Sequence, residues 1–212
     1  MEKKINLETW PRKAQYELFK TIDYPHFNIC ANVDITKFYA HIKSKTLSFY
    51  TTMIYVTTKV ANEIPEFRYR MRADEIIEHD LINPSFTIMT QPEVFSFCSV
   101  PFSNDLSIFT RSALDKIQKL QGAVNLEDEQ NRDDQLYITS IPWVTFTSLT
   151  HPINIKSVDT IPRIAFGKYF KENGFIKMPL SVQVNHVVMD GVHVGKYFER
   201  LQEMLDRPDS YC

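Results

Sequence analysis

The clearest alternation of apolar and polar positions lies near the end of the sequence, in a predicted strand over residues 175–186. Successive side chains of a strand point to opposite faces, so the ring of His186 shares a face with Leu180, Val182, Val184 and Val188. Asp190 and Gly191 follow as turn and helix-start residues, and apolar positions then recur at helical spacing. The pattern therefore predicts a strand, a bend and a helix, with a histidine before the bend.

Capping residues and helical periodicity predict the other helices. Thr9 is a cap with Pro11 in the first turn, Pro65 ends a long apolar helix, and Asn104 or Asp105 caps a later one that Gly122 stops. The predicted helices cover residues 13–20, 34–44, 46–63, 106–122 and 191–205.

Short runs rich in β-branched and aromatic residues predict the strands, and Glu172-Asn173-Gly174 predicts a hairpin turn. Residues 125–134 are the most polar stretch and are interpreted as a solvated loop or a helix extension. The predicted strands cover 26–33, 67–71, 75–79, 86–90, 94–100, 136–140, 144–147, 161–170 and 175–186. We expect one α/β domain over residues 1–212, with a mixed β-sheet covered by helices.

Composition excludes several classes of protein. The 212 residues are 43% hydrophobic and carry a net charge of −2, so no basic face favours nucleic acid. The sequence has neither an apolar run of about 18 residues nor a signal peptide, so no membrane association is expected. Cys30, Cys98 and Cys212 form neither a disulfide framework nor a zinc pattern, and the cytoplasm is the expected compartment.

Candidate chemistry converges on His186. The six histidines lack zinc-site spacing, so no metal is expected, and neither a phosphate-binding glycine loop nor a Gly-x-Ser-x-Gly turn occurs. A lone strand histidine is most often structural, Asp190 could be a plain helix cap, and Phe95 with Phe97 could be core. An imidazole with an ordinary pKa of about 6.5 can also take a proton from a substrate hydroxyl. Acyl transfer would further need a hydrogen-bond donor for the oxyanion.

Asn185-His186-Val187-Val188-Met189-Asp190-Gly191-Val192-His193-Val194 resembles the His-His-x-x-x-Asp-Gly-Phe-His-Val signature of the trimeric chloramphenicol acetyltransferases. Further motifs of that family recur in the same order over nearly the whole chain. They include Trp10-Pro11-Arg12, Asp34-Ile35-Thr36, Pro142-Trp143-Val144, Gly167-Lys168-Tyr169 and Met178-Pro179-Leu180-Ser181.

The resemblance implies a two-layer CoA-dependent acyltransferase fold, acetyl-CoA as co-substrate and chloramphenicol as acceptor. It implies that His186 is the general base, that Thr139 donates to the oxyanion, and that Asp190 is held by Arg12. It also implies a homotrimer whose active sites lie between two subunits. The positions that match the coenzyme A channel are Tyr50, Lys168 and Tyr169, and those that match the antibiotic pocket are Phe19, Phe95, Phe97 and Leu149.

The chain departs from the family pattern at several site positions. Asn185 replaces the first histidine of the pair, Thr139 replaces a serine, and Ala165 replaces a threonine that helps to hold a water. Pro25 and His151 stand where relatives place small or apolar pocket residues. Three hypotheses follow: acetylation of chloramphenicol, acetylation of another small hydroxyl compound by the same mechanism, or a catalytically dead ligand-binding trimer.

Overall fold

A computed structural model describes residues 2–126, 132–155 and 158–211 of the chain. Its α-helices follow the predicted order, with ends that differ by a few residues. They are α1 (Lys13–Phe19), α2 (Thr36–Lys45), α3 (Phe49–Glu63), α4 (Leu106–Lys119) and α5 (Gly191–Asp206). No helix of the described residues is long and apolar enough to cross a membrane.

The strands form two sheets. They are β1 (Glu2–Lys4), β2 (His26–Asp34), β3 (Tyr69–Arg72), β4 (Glu75–His79), β5 (Asn83–Gln91), β6 (Val94–Ser99), β7 (Gln135–Ile141), β8 (Arg163–Gly167), β9 (Phe170–Glu172) and β10 (Phe175–Asn185). In the described part of the chain, the large sheet has the order β2-β10-β8-β7-β5-β6, with β9 paired to β10, and the small sheet has the order β1-β4-β3. The β5–β7 and β7–β8 pairs are parallel and the other pairs are antiparallel. The predicted mixed α/β fold is confirmed.

Three helices pack on the large sheet: α2 contacts β10, α3 contacts β5 and α5 contacts β2. Ser48 accepts a hydrogen bond from the backbone of Thr51 and caps α3, whose residues 51–58 are all buried. A helix that is buried all round packs against several neighbours, and α3 contacts α4 and α5. Thr57 and Thr58 satisfy their hydroxyls on backbone carbonyls one turn earlier, so they add no unpaired polar group to the core.

Two turns follow from local backbone chemistry. Asn173 and Gly174 have φ of 51° and 83°, the left-handed values that a tight hairpin turn requires, and they join β9 to β10 as predicted. Gly167 ends β8 under the ring of Phe146, and a Cβ atom there would lie 2.8 Å from Phe146 and from Pro179. The segment after β7 can therefore fold back closely onto β8.

Several predicted boundaries were wrong. Residues 144–147 form no strand: the carbonyl of Val144 accepts a hydrogen bond from the Lys168 backbone, but no regular ladder follows. Residues 65–68 form a 3₁₀ helix instead of the start of β3, and residues 161–170 divide into β8 and β9. Thr46 has φ of 54° and ends α2, so α3 begins at Phe49. Within 125–134, residues 127–131 lie outside the described residues.

Candidate active site

His186 directly follows β10 and lies between two aromatic rings. Its imidazole stacks on Phe19 of α1 at 4.3 Å between ring centroids and on Phe27 of β2 at 4.1 Å. The backbone N–H of His186 donates to the carbonyl of Pro25, which continues the pairing of β10 with β2. The side chain is 29% exposed, so the ring is oriented by packing while part of it still faces solvent.

Arg12 and Asp190 form an ion pair beside this ring. Nη1 of Arg12 contacts Oδ2 of Asp190, and Nη2 donates to the backbone carbonyl of His186 at 2.9 Å. The other carboxylate oxygen of Asp190 lies 3.3 Å from Nδ1 of His186. The ion pair therefore holds both the backbone and the ring of the histidine.

His193 holds the start of α5. The backbone N–H of Asp190 donates to Nδ1 of His193 at 2.8 Å, and Nε2 of His193 lies 3.4 Å from Oε1 of Glu66. The ring satisfies a backbone donor at the helix start, as a capping residue does. His193 thus fixes the backbone that carries the Asp190 carboxylate.

The electrostatic environment favours the neutral form of His186. Burial and the nearby charge of Arg12 lower the pKa of His186 below its ordinary value of 6.5. A neutral imidazole near pH 7 can accept a proton. The position between two rings and a cation therefore suits a general base.

Thr139 lies in a different part of the chain, in a cavity of about 660 Å³. Phe95 and Phe97 of β6 line this cavity, so they are not core residues, and their rings meet edge to face at 5.7 Å between centroids. Trp143 and His151 complete much of the wall. The volume and the aromatic lining suit a small organic molecule with few polar groups.

Ala165 lies directly beside Thr139 in the sheet. The two residues are register partners between β7 and β8, and Ala165 is in turn the partner of Ser181 on β10. Residues in one row of a sheet point to the same face, so a hydroxyl at position 165 would stand next to that of Thr139. Its absence leaves a methyl group beside the candidate oxyanion donor.

Tyr50, Leu149 and Phe19 lie in three different places. Tyr50 lines the Thr139 cavity, and burial raises the pKa of its hydroxyl, which donates to the carbonyl of Thr87. Leu149 is absent from the lining of that cavity, and its carbonyl lies 3.0 Å from Oγ of Ser181. Phe19 is found at His186 and not with Phe95 and Phe97.

Lys168 and Tyr169 lie on an exposed aromatic surface. The Tyr169 ring is 5.3 Å from Tyr39 and 5.9 Å from Phe49, measured between centroids. Nζ of Lys43 lies 5.4 Å from the centre of the Tyr39 ring, and Lys168 is exposed. Aromatic side chains flanked by lysines can stack on a planar ring of a ligand, while the lysines pair with phosphate groups of the same ligand.

The two parts of the predicted catalytic set are far apart within one chain. Thr139, Ala165 and Ser181 form one row across β7, β8 and β10, while His186 lies five residues beyond Ser181. At ~3.3 Å per residue and ~4.8 Å per strand, the separation is roughly 16 Å along the sheet and 10 Å across it. The chain therefore carries two half-sites: the histidine half-site (His186, Asp190, Arg12 and Phe19) and the threonine half-site (Thr139, Phe95 and Phe97).

Phe27 is a functional candidate that the sequence did not reveal. It belongs to β2, and only the pairing of β2 with β10 brings its ring onto His186. Among the described residues, no group of three or more His, Cys, Asp or Glu side chains could hold a metal ion.

The sheet order, with a histidine after the long strand and an aspartate at the start of the last helix, places the chain in the fold class of the CoA-dependent acyltransferases. The chain belongs to the chloramphenicol acetyltransferase family: the family model described as "Chloramphenicol acetyltransferase" matches residues 2–202. The protein is accordingly classed as an enzyme of that family.

Individual relatives agree with this assignment. The chain is 30% identical over 206 residues to a chloramphenicol acetyltransferase of Bacillus pumilus, covering 96% of this chain and 94% of the relative. It is 30% identical over 203 residues to chloramphenicol acetyltransferase 3 of Escherichia coli, covering 95% of each.

Solved structures show the same fold. A chloramphenicol acetyltransferase superposes with a TM-score of 0.86 at 24% identity, covering 97% of this chain and 100% of the other. The dihydrolipoamide acetyltransferase (E2p) of Azotobacter vinelandii gives a TM-score of 0.73 at 15% identity, covering 94% of this chain and 88% of the other. The fold is thus shared with acyltransferase cores of distant sequence.

Proposed function

We propose that the protein transfers the acetyl group of acetyl-CoA to a hydroxyl of chloramphenicol. The observation that carries this proposal is the orientation of His186 by the Arg12–Asp190 ion pair, on a chain that matches the chloramphenicol acetyltransferase family over residues 2–202. The relatives named above carry the same activity in their names.

The proposed reaction needs a base at the acceptor hydroxyl. His186 takes the hydroxyl proton while the oxygen attacks the thioester carbonyl, and the departing thiolate of coenzyme A recovers that proton from the imidazolium. The oxygen–carbon bond forms first and gives a tetrahedral oxyanion, and the carbon–sulfur bond breaks when this intermediate collapses, so no acyl group is ever attached to the protein. The lowered pKa of His186 supports this role, because the ring is neutral at the start of the cycle.

Thr139 is the proposed oxyanion donor. Thr139 lines the same cavity as Phe95 and Phe97, whose volume suits a small acceptor. A donor placed at the developing negative charge accounts for roughly a hundredfold in rate in other enzymes. The methyl group of Thr139 restricts χ1 and so fixes one orientation of that hydroxyl more firmly than a serine would.

The exposed surface of Tyr39, Phe49, Lys168 and Tyr169 is the proposed binding site for the nucleotide end of acetyl-CoA. Its aromatic rings can stack on adenine and its lysines can pair with phosphate. Tyr50 follows Phe49 in the sequence and lines the cavity of Thr139, so it lies between the nucleotide surface and the reaction centre.

The described cysteines Cys30 and Cys98 are free thiols, which supports the cytoplasm as the compartment.

The separation of the two half-sites supports a homotrimer. The ~16 Å between His186 and the row of Thr139 is too long for one acceptor molecule to contact both groups at the reacting carbon. A ring of three copies closes if the histidine half-site of each subunit meets the threonine half-site of the next. Each active site would then use His186 from one subunit and Thr139 from its neighbour.

Thiol release tests the proposal. Purified protein with acetyl-CoA should release free coenzyme A when chloramphenicol is added, and His186→Ala should reduce the rate to background. Thiol release that does not depend on chloramphenicol, or full activity of the His186→Ala variant, would contradict it.

A second candidate is the same reaction on another small hydroxyl compound. His151 gives the acceptor cavity a polar wall, which a different acceptor could require. A panel of hydroxyl compounds in the same thiol assay separates the two candidates, since the true acceptor should show the highest kcat/KM.

A further inference from the structure

The sheet face below the acceptor cavity carries a second row of side chains, all of them polar. Ser85, Tyr137, Arg163 and Gln183 are consecutive register partners on β5, β7, β8 and β10. This row lies two residues from the row of Thr139, so it points to the same face at a distance of roughly 7 Å. The sheet is therefore polar where a hydrophobic core would need apolar residues.

A smaller cavity of about 200 Å³ lies over this polar row and shares part of its wall with the acceptor cavity. Ser85, Tyr137 and Arg163 line it, while Thr139 and His151 line both cavities. A molecule that occupies the acceptor cavity can therefore extend into the smaller one, which we call the inner chamber.

His151 is held rigidly over the inner chamber. Its backbone N–H donates to Oε1 of Gln183 at 2.6 Å, and Ser181 on the same strand lies 3.0 Å from the carbonyl of Leu149. Both ring nitrogens of His151 are buried and neither makes a hydrogen bond of standard geometry with the described residues, although the Gln183 side chain is near enough to raise the pKa of the ring. Buried polar groups are almost always paired, so the ring lacks a partner that a ligand can supply.

Arg163, which lines the inner chamber, is paired with a carboxylate. Both carboxylate oxygens of Asp159 pair with the guanidinium of Arg163, at 3.0 Å and 2.6 Å. Burial lowers the pKa of His151 to about 4, so its ring is neutral near pH 7 and offers one donor and one acceptor. An ionised group would have no counter-ion here, whereas an uncharged polar group could be bound.

We propose that the inner chamber is a second subsite for the acceptor and that His151 binds an uncharged hydrogen-bonding group there, such as a nitro, sulfonyl, amide or hydroxyl group. This group lies roughly 7 Å from the reaction centre at Thr139. The proposal rests on the proposed function, because it takes the acceptor cavity of Thr139 as the place of reaction.

Chloramphenicol and its analogue with hydrogen in place of the aryl nitro group provide the probes. Binding of each is measured by calorimetry and turnover by thiol release, for the unmodified protein, His151→Leu and His151→Gln. We expect His151→Leu to weaken chloramphenicol binding about fivefold while it leaves the analogue unchanged, since one hydrogen bond is lost. His151→Gln keeps an uncharged hydrogen-bonding group and should restore most of the difference. Phe95→Leu is the matched control, because it alters the apolar wall and should change both affinities by the same factor.

The outcomes separate this subsite from the proposed function. A selective effect of His151→Leu on binding without any thiol release supports the subsite and contradicts the proposed function. Thiol release with equal effects of His151→Leu on both probes leaves the function standing and overturns the subsite. Failure of both probes to bind would overturn both.

Discussion

Arg12 donates a hydrogen bond to the backbone carbonyl of His186 at 2.9 Å. The same guanidinium pairs with Asp190, whose second carboxylate oxygen lies 3.3 Å from the His186 ring. Arg12 thus holds the backbone of the candidate base directly and its ring through Asp190. This arrangement makes the ion pair important both for stability and for catalysis.

Asp190→Asn should lower both stability and activity. It leaves Arg12, which is 9% exposed, without its anionic partner. We expect a loss of about 2–3 kcal/mol, near the lower end for a buried ion pair because Asp190 is partly exposed, and a Tm lower by about 4–10 °C. Calorimetry and thiol release measure the two effects. The control is Glu172→Gln, which removes an exposed pair with Lys177 and should leave Tm nearly unchanged. Equal Tm values for the two variants would contradict the structural role of the ion pair.

The activity should persist below pH 6.5. Burial and Arg12 lower the pKa of His186, so the ring is neutral and able to accept a proton at pH values where an ordinary histidine is protonated. The acid limb of kcat/KM against pH should therefore have its midpoint below 6.5. Arg12→Gln removes the positive charge and should move that midpoint to higher pH. A midpoint above 6.5 for the unmodified protein would exclude this environment for the catalytic group.

Substitutions at Thr139 should distinguish the contribution of its hydroxyl group to kcat from that of its shape. Thr139→Val has nearly the same shape without the hydroxyl and should lower kcat by about a hundredfold, as loss of an oxyanion donor does. Thr139→Ser keeps the donor and should retain activity within a few-fold. Steady-state kinetics measure kcat for both variants, and Tm shows whether each variant is folded. Similar kcat values for the valine and serine variants would mean that Thr139 donates nothing to the transition state.

Mixing two inactive variants should restore activity if the half-sites meet between subunits. His186→Ala has a damaged histidine half-site and Thr139→Val has a damaged threonine half-site. Subunits dissociated and reassembled at equal amounts would pair the two intact halves in about one quarter of the sites. Thiol release before and after reassembly measures the gain. Activity that stays at the level of the separate variants would place both halves of each site in one chain.

The protein should lose stability as the pH falls below 6.5. Burial lowers the pKa of His26, and that of His151 to about 4, whereas both return to about 6.5 on unfolding. Between these values the unfolded chain binds more protons, so the free energy of unfolding decreases as the pH falls. Denaturant unfolding at pH 7 and pH 5 measures the slope. His151→Gln removes one of the histidines whose pKa is lowered and should make the slope smaller, and an unchanged slope would mean that His151 is solvated in the folded state.

The sequence predicted local features better than pairings between distant strands. The Asp190 bend, the Asn173-Gly174 turn and the apolar stripe of α5 depend on neighbouring residues, and each is found where expected. Residues 144–147 have strand-like composition, but their backbone hydrogen bond with Lys168 does not extend into a ladder. Strand formation depends on tertiary partners, which composition does not specify.

The site was predicted unevenly for the same reason. The motif around His186 and Asp190 is local, so its residues were found, although their catalytic roles stay predictions. Phe27 and Gln183 act through strand register: one reaches His186 and the other fixes His151. Register follows from the assembled sheet and could not be read from single residues.

The Arg12–Asp190 ion pair can form only late in synthesis of the chain. The two residues are 178 positions apart along the chain, and β10, the partner of β2, is the last strand to be made. In an emerging chain, β2 therefore lacks β10 and Arg12 lacks Asp190 until almost all residues have left the ribosome. A product truncated before Phe175 lacks both β10 and His186, so premature termination there should yield aggregation-prone chains with no activity.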